Sequence, residues 1–188
     1  MENRESRVST SFEVRAEDDA VTVEGYAAVF DEDTVIGGQW MERIAPGAFT
    51  NAIGRDDVTF LINHEGLPMA RTRSGTLELF EDQRGLRMRA SLDMRDPDVR
   101  SIVPKMQRGD LDKMSFAFIP TRPKWKDVDG KDLPRRTIEE AELYDVSIVT
   151  TPAYSGTEIG LRSLEQFRNA QRNSQAPRRL RMKSRLQG

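Results

Sequence analysis

Short runs of alternating apolar and polar residues fill most of this chain, and such runs build strands rather than helices. Ser11–Arg15 and Val21–Phe30 are two of them, parted by the turn-like Glu17-Asp18-Asp19. In the second, Gly25 and the small Ala27-Ala28 mark a bulge or close backbone packing. After a loop from Asp31 to Gly38 the chain extends again over Trp40–Ile44, and Ala45-Pro46-Gly47-Ala48-Phe49 turns into a short helix ending near Gly54. Val58–His64 reads as a strand that Glu65-Gly66-Leu67-Pro68 ends, with His64 on the face of Phe60 and Ile62. Gly75–Phe80 and Leu86–Leu92 form a hairpin over residues 81–85, and Leu77, Leu79, Leu86, Met88 and Ala90 mark its buried face.

The period then changes. Asp96-Pro97-Asp98 opens a helix whose buried stripe is Val99, Ile102, Val103 and Met106, bent at Pro104 and stopped by Gly109. Leu111–Ile119, between Gly109 and Pro120, returns to a strand, with Met114, Phe116 and Phe118 on one face and Ser115 and Ala117 on the other. Residues 124–132 are polar and read as an excursion or hairpin tip around Asp129-Gly130. Arg135–Glu142 and Leu143–Thr150 are strands or one continuous strand, and alternation puts Leu143, Asp145, Ser147 and Val149 on a common face. Thr151–Tyr154 is a turn, and Ser155 with Glu158 is a capping box for a helix over Ser155–Asn173. The sum is a β-rich α+β fold, most economically a small barrel surrounded by helices.

Composition narrows the classes. The 188 residues suit one domain with tails: a polar, flexible stretch at 1–10, a folded domain over 11–165 and a tail over 166–188. That tail contains no acid, while Arg168, Arg172, Arg178, Arg179, Arg181, Lys183 and Arg185 accumulate in it. It is a solvated segment or the docking site of an acidic or polyanionic partner. No run is long and apolar enough for a membrane, and the charged start Met-Glu-Asn-Arg-Glu is no signal peptide, so the expected compartment is the cytoplasm. The absence of cysteine excludes disulfides, thiolate zinc sites and cysteine nucleophiles, and a single histidine leaves the common transition-metal sites without their ligands.

Two residue types remain for nucleophilic chemistry. Ser115 is either a buried serine bonded to a backbone carbonyl or a nucleophile held in an ordered strand. His64 is either a structural residue beside apolar neighbours or the base, since no other side chain titrates near neutrality. The orienting acid is best sought at Asp145, because a carboxylate within an apolar strand needs a partner. Glu140 and Glu142 are the alternatives, and Asp112, which points away from Ser115, ranks below them. A carboxylate-metal hydrolase is the other hydrolytic option, but no compact acid cluster supports it.

Five motifs together add a resemblance. Gly25-Tyr26-Ala27-Ala28-Val29-Phe30, Glu42-Arg43-Ile44-Ala45-Pro46-Gly47-Ala48-Phe49, Asn63-His64-Glu65, Lys113-Met114-Ser115-Phe116-Ala117-Phe118 and Asp145 through Tyr154 follow one another in the order and spacing of the prohead maturation proteases of tailed phages of the HK97 type. The resemblance covers about residues 20–160. It implies a fold similar to the herpesvirus assembly proteases, a β-barrel wrapped by helices. It also implies His64 as base and Ser115 as nucleophile. The herpesvirus enzymes use a second histidine as third member, at a strand matching Asp145-Val146-Ser147; this chain has none, so Asp145 would take its place. Their oxyanion donors lie on the loop after that strand, here Thr151-Pro152-Ala153-Tyr154, and because Pro152 lacks an N–H the expected donor is Ala153.

By the same resemblance the chain is expected to be a serine endopeptidase that needs no cofactor. It would act inside the assembling prohead in the host cytoplasm on scaffold or on the scaffold-like N-terminal segment of the major capsid protein, and then on itself. The portal, the prohead shell and a second copy of the chain are further expected partners. The competing expectation is a non-catalytic capsid assembly or scaffolding factor that keeps the fold without the activity.

Overall fold

The structure is a computed structural model, and it describes residues 4–10, 12–17, 20–127, 133–150 and 160–173. In chain order the elements are β1 (Glu5–Thr10), β2 (Phe12–Glu17), β3 (Ala20–Val29), β4 (Thr34–Ile36), β5 (Trp40–Ile44), α1 (Thr50–Arg55), β6 (Thr59–Ile62), β7 (Glu65–Arg71), β8 (Leu77–Glu81), β9 (Gly85–Asp93), α2 (Pro97–Gln107), β10 (Lys113–Lys126) and β11 (Arg135–Val149). A last helix, α3, covers residues 160–173.

The strands form two sheets. One runs β1-β10-β11-β5-β4, with β6 and β7 attached to β11; the other runs β2-β3-β9-β8. β11 is the hub of the first. Antiparallel β10 lies along its whole length on one side, while on the other β5 pairs its first half and β6 its second, both in parallel. The second half of β11 is also buried on both faces, which fits the run Val146-Ser147-Ile148-Val149. The two sheets face each other across the main core, where Phe49, Phe60, Met88, Met114, Phe116, Phe118, Val146 and Ile148 meet. Gly25 on β3 lets them approach, since a Cβ there would lie 2.7 Å from Phe12 Cβ and 3.0 Å from Met114 Sδ. The architecture is β-rich with few helices, and the strand pairing among the described residues is of two sheets rather than a closed barrel.

Local signals account for much of this. The β8–β9 hairpin buries the expected Leu77, Leu79, Leu86, Met88 and Ala90. Asp96 caps α2 by accepting from the Asp98 N–H at 2.8 Å, and Val99, Val103 and Met106 are its buried stripe. α3 packs a second, smaller core of Ile36, Trp40, Trp125, Leu161, Leu164 and Phe167. Here Gly160 lies so close to Trp40 that a Cβ would fall 2.4 Å from the indole ring. The helix expected over Ser155–Asn173 is present over 160–173; its capping box and residues 174–188 lie outside the described residues.

Four expectations are corrected. Residues 5–10 are not frayed: they form β1, the edge strand beside β10, with Glu5, Ser6 and Arg7 buried. The loop after Asp31 contains β4, anchored by Ile36 on Trp40. Glu65-Gly66-Leu67-Pro68 does not end an extended stretch but begins β7, because the reversal falls one step earlier at Asn63-His64. β10 does not stop at Pro120; it continues through Pro120 and Pro123 to Lys126, and the ladder shifts register at both prolines, where the missing N–H is tolerated.

Candidate active site

The site is built on the β10–β11 ladder. Ser115 stands opposite Ser147, and Ala117 opposite Asp145. One irregularity decides which way Asp145 points. Between Ala117 and Phe118 the register skips Tyr144, a bulge that resets the alternation of β11. Leu143 therefore stays in the core with Val146 and Ile148, while Asp145 and Ser147 turn to the opposite face. The face expected to hold Leu143 and Asp145 together is split at this point.

His64 arrives from a third strand. β6 runs parallel to β11 and ends at Ile62, which pairs with Glu65 across the two-residue turn Asn63-His64. Both turn residues have positive φ, 53° and 61°, as a type I′ reversal requires. Asparagine accepts this conformation readily and histidine less so, which makes the turn one that must be held. It is held from β11: the Asn63 N–H donates to the Ile148 carbonyl at 2.9 Å, and Asn63 Oδ1 accepts from the Thr150 N–H at 3.0 Å. His64 is thus not a strand residue on the face of Phe60, as its neighbours suggested, but the second residue of a tight turn.

The consequence is a continuous relay. His64 Nδ1 lies 2.6 Å from Asp145 Oδ1, and His64 Nε2 lies 2.7 Å from Ser115 Oγ. An ionised carboxylate only accepts, so Nδ1 donates to Asp145 and Nε2 is left facing the serine hydroxyl. Ser147, to which sequence reasoning gave no role, joins the same network: its hydroxyl donates to Asp145 Oδ1 at 2.7 Å and its oxygen lies 3.2 Å from His64 Nδ1. Its signal was present in the two-residue spacing Asp145-Val146-Ser147, which places both side chains on one face.

Ser115 is fully buried, and its hydroxyl also lies 2.8 Å from the backbone carbonyl of Arg7 on β1, to which it can donate. One hydrogen faces two acceptors. It serves the imidazole or the Arg7 carbonyl at a given moment, not both.

The remaining candidates have other partners. Glu140 accepts from Asn51 Nδ2 at 2.7 Å, Glu142 accepts from the Tyr144 hydroxyl at 3.0 Å, and Asp112 pairs with Lys113 at 2.9 Å. Ala153 lies outside the described residues.

Beneath β1 sits a second polar assembly of four charged residues. Arg7 Nε donates to Glu42 Oε1 at 2.5 Å, Arg136 Nε donates to Glu42 Oε2 at 2.6 Å, and Arg136 Nη1 donates to Glu5 Oε1 at 2.9 Å. Burial alone would push the Glu42 carboxyl up, but the Arg7 and Arg136 guanidinium groups outweigh it and hold it below the usual range. Arg136 lies over the rings of Trp40 and Trp125, tying β1 through this cluster to the core under α3.

No curated protein matches the chain. Among solved structures it is similar to the capsid assembly protease gp21 of bacteriophage T4, with a TM-score of 0.50 and 11% identity over 79% of this chain and 99% of that one, a likeness of fold. The family described as caudovirus prohead serine protease matches residues 10–171, nearly the whole described chain and every strand of the site except β1. On that match the chain belongs to the caudovirus prohead serine proteases, the serine proteases of phage capsid maturation.

Proposed function

We propose that Ser115, His64 and Asp145 are the catalytic triad of this protease, with Ser115 as nucleophile. The observation that carries the proposal is the unbroken relay Asp145–His64–Ser115, with contacts of 2.6 and 2.7 Å. In this reading Ser115 Oγ attacks the scissile carbonyl carbon and its proton passes to His64 Nε2. The tetrahedral intermediate collapses as that proton moves to the leaving amine, which departs and leaves an acyl-enzyme. Water, deprotonated by the same imidazole, then releases the acid. Asp145 keeps Nδ1 as the donor and balances the charge the ring carries between steps. The Ala153 N–H is proposed as oxyanion donor.

The proposed substrates are the scaffold or the scaffold-like N-terminal segment of the major capsid protein, followed by the protease itself. The finer architecture belongs to the same proposal: two facing sheets that correspond to the herpesvirus-type barrel. The test is co-expression with the cognate major capsid protein, wild type against Ser115→Ala, read by intact mass. Shortened capsid protein with the wild type alone supports the assignment. Equal trimming by both removes Ser115 from the mechanism, and assembled particles of full-length protein from both favour the non-catalytic assembly factor.

A further inference from the structure

A peptide cannot reach Ser115 while β1 is in place. The hydroxyl is fully buried, its hydrogen has the Arg7 carbonyl within reach, and β1 occupies the free edge of β10 from Lys113 to Phe118. Yet β1 is attached differently from every neighbour of β10 and β11. None of its described side chains belongs to either apolar core. It is held by a backbone ladder, by the ion cluster of Glu5 and Arg7 with Glu42 and Arg136, and by the Arg7 guanidinium over the Phe118 ring. A peptide in extended form can supply each of these contacts, whereas it could not replace packed side chains of the core.

We infer that β1 occupies the place of the substrate strand, and that Glu42 and Arg136 read the substrate's side chains there. This rests on the catalytic assignment above. A peptide laid antiparallel on β10 in the register of β1 brings a carbonyl oxygen to the position of the Arg7 carbonyl oxygen, 2.8 Å from Ser115 Oγ, and rotation of that one peptide unit turns its carbon to Oγ and its oxygen toward the proposed oxyanion donor. The bond cleaved is the one following the residue in Arg7's place. β1 contributes one acid and one base two positions apart, Glu5 and Arg7, on the strand face opposite Val8 and Ser115. It leaves behind one base and one acid, Arg136 and Glu42. The matching substrate therefore carries an acidic residue and, two positions later, a basic one immediately before the scissile bond. Because what remains is a neutral ion pair, departure of β1 leaves no uncompensated charge in the interior, so the exchange is feasible.

Three measurements test this. The chain has no cysteine, so Ser6→Cys with Ala117→Cys, a directly paired couple on β1 and β10, introduces a single possible disulfide. The reduced variant sets the reference rate; oxidised, with β1 fastened, the same protein should lose at least tenfold, and reductant should restore it. Equal cleavage by the two forms overturns displacement of β1. If neither the reduced variant nor the wild type cleaves, the catalytic assignment has failed instead. Displacement is then read without turnover, by hydrogen exchange of the amides of residues 5–9 in Ser115→Ala: loss of protection at saturating ten-residue peptide carrying Glu-x-Arg supports the inference, and retained protection overturns it. For specificity, peptides with Glu-x-Arg and Arg-x-Glu at the same positions have equal composition. A preference of tenfold or more in kcat/KM for the first is expected, and equal rates or the reverse order overturn the role given to Glu42 and Arg136.

Discussion

Ser147 stands directly across the β10–β11 ladder from Ser115, and its hydroxyl oxygen is 2.7 Å from the carboxylate that orients His64. The pairing sets Asp145 between two hydrogen-bond donors, the imidazole and Ser147, so the carboxylate is fixed in both position and rotamer. Ser147→Ala should therefore fold normally and retain KM while kcat falls. A hydrogen bond to a charged group is worth about 1.5–3 kcal/mol, or roughly 10- to 100-fold in rate. Ser147→Thr restores a hydroxyl and should recover most of the loss; a Thr variant as slow as the Ala one would remove Ser147 from the network.

Asp145→Asn keeps the shape and removes the charge. An amide at this point can present its NH2 to Nδ1 and turn the imidazole into the wrong tautomer, with an expected kcat loss on the order of 10³ to 10⁴. Steady-state kinetics alongside an unchanged near-UV CD spectrum checks it. A loss under tenfold would indicate that another acceptor orients the ring.

The turn at Asn63 separates conformation from anchoring. Asn63→Gly accepts positive φ but loses the bond to the Thr150 N–H, and should lower kcat more than stability. Asn63→Ala loses both and should cost roughly an additional 1 kcal/mol in urea unfolding. Equal stability of the two variants would contradict the turn's assigned geometry.

Much of this molecule is legible without coordinates, and what is not has a common cause. The β8–β9 hairpin and α2 declare themselves because alternation, an Asp cap and a Gly stop act within a few residues. Asp145 stands out because a carboxylate among Val, Ile and Leu demands a partner. β1 does not, because the charges that make it look frayed are neutralised by Glu42 and Arg136, 35 and 131 residues away from their partners on the strand. The bulge at Tyr144 has no local signature either, since it arises from matching β11 to β10. The sequence puts His64 on a strand because Gly66 and Pro68 punctuate more strongly than Asn63, although Asn63 is the residue that turns the chain.

The buried cluster makes stability depend on acid. The folded Glu42 carboxyl titrates below its unfolded value, so the folded form binds this proton less readily than the unfolded one. Its contribution is complete above the unfolded pKa near 4.5 and is lost as pH falls through the lower, folded value. Thermal melts of the wild type should decline below that pH, and Glu42→Gln, though less stable at neutrality, should decline less steeply. Parallel curves for the two proteins would show that Glu42 does not drive the acid transition.

The three proposed catalytic side chains enter from positions 64, 115 and 145, on a turn and two strands that meet only when β11 has paired on both edges. No fragment of the chain that stops short of β11 holds two of the relay's contacts. During synthesis, then, the proposed relay cannot close before the residues up to Val149 have left the ribosome and the central strand has paired on both edges. A nascent chain therefore lacks the relay at every length before that, and in the finished fold β1 covers Ser115.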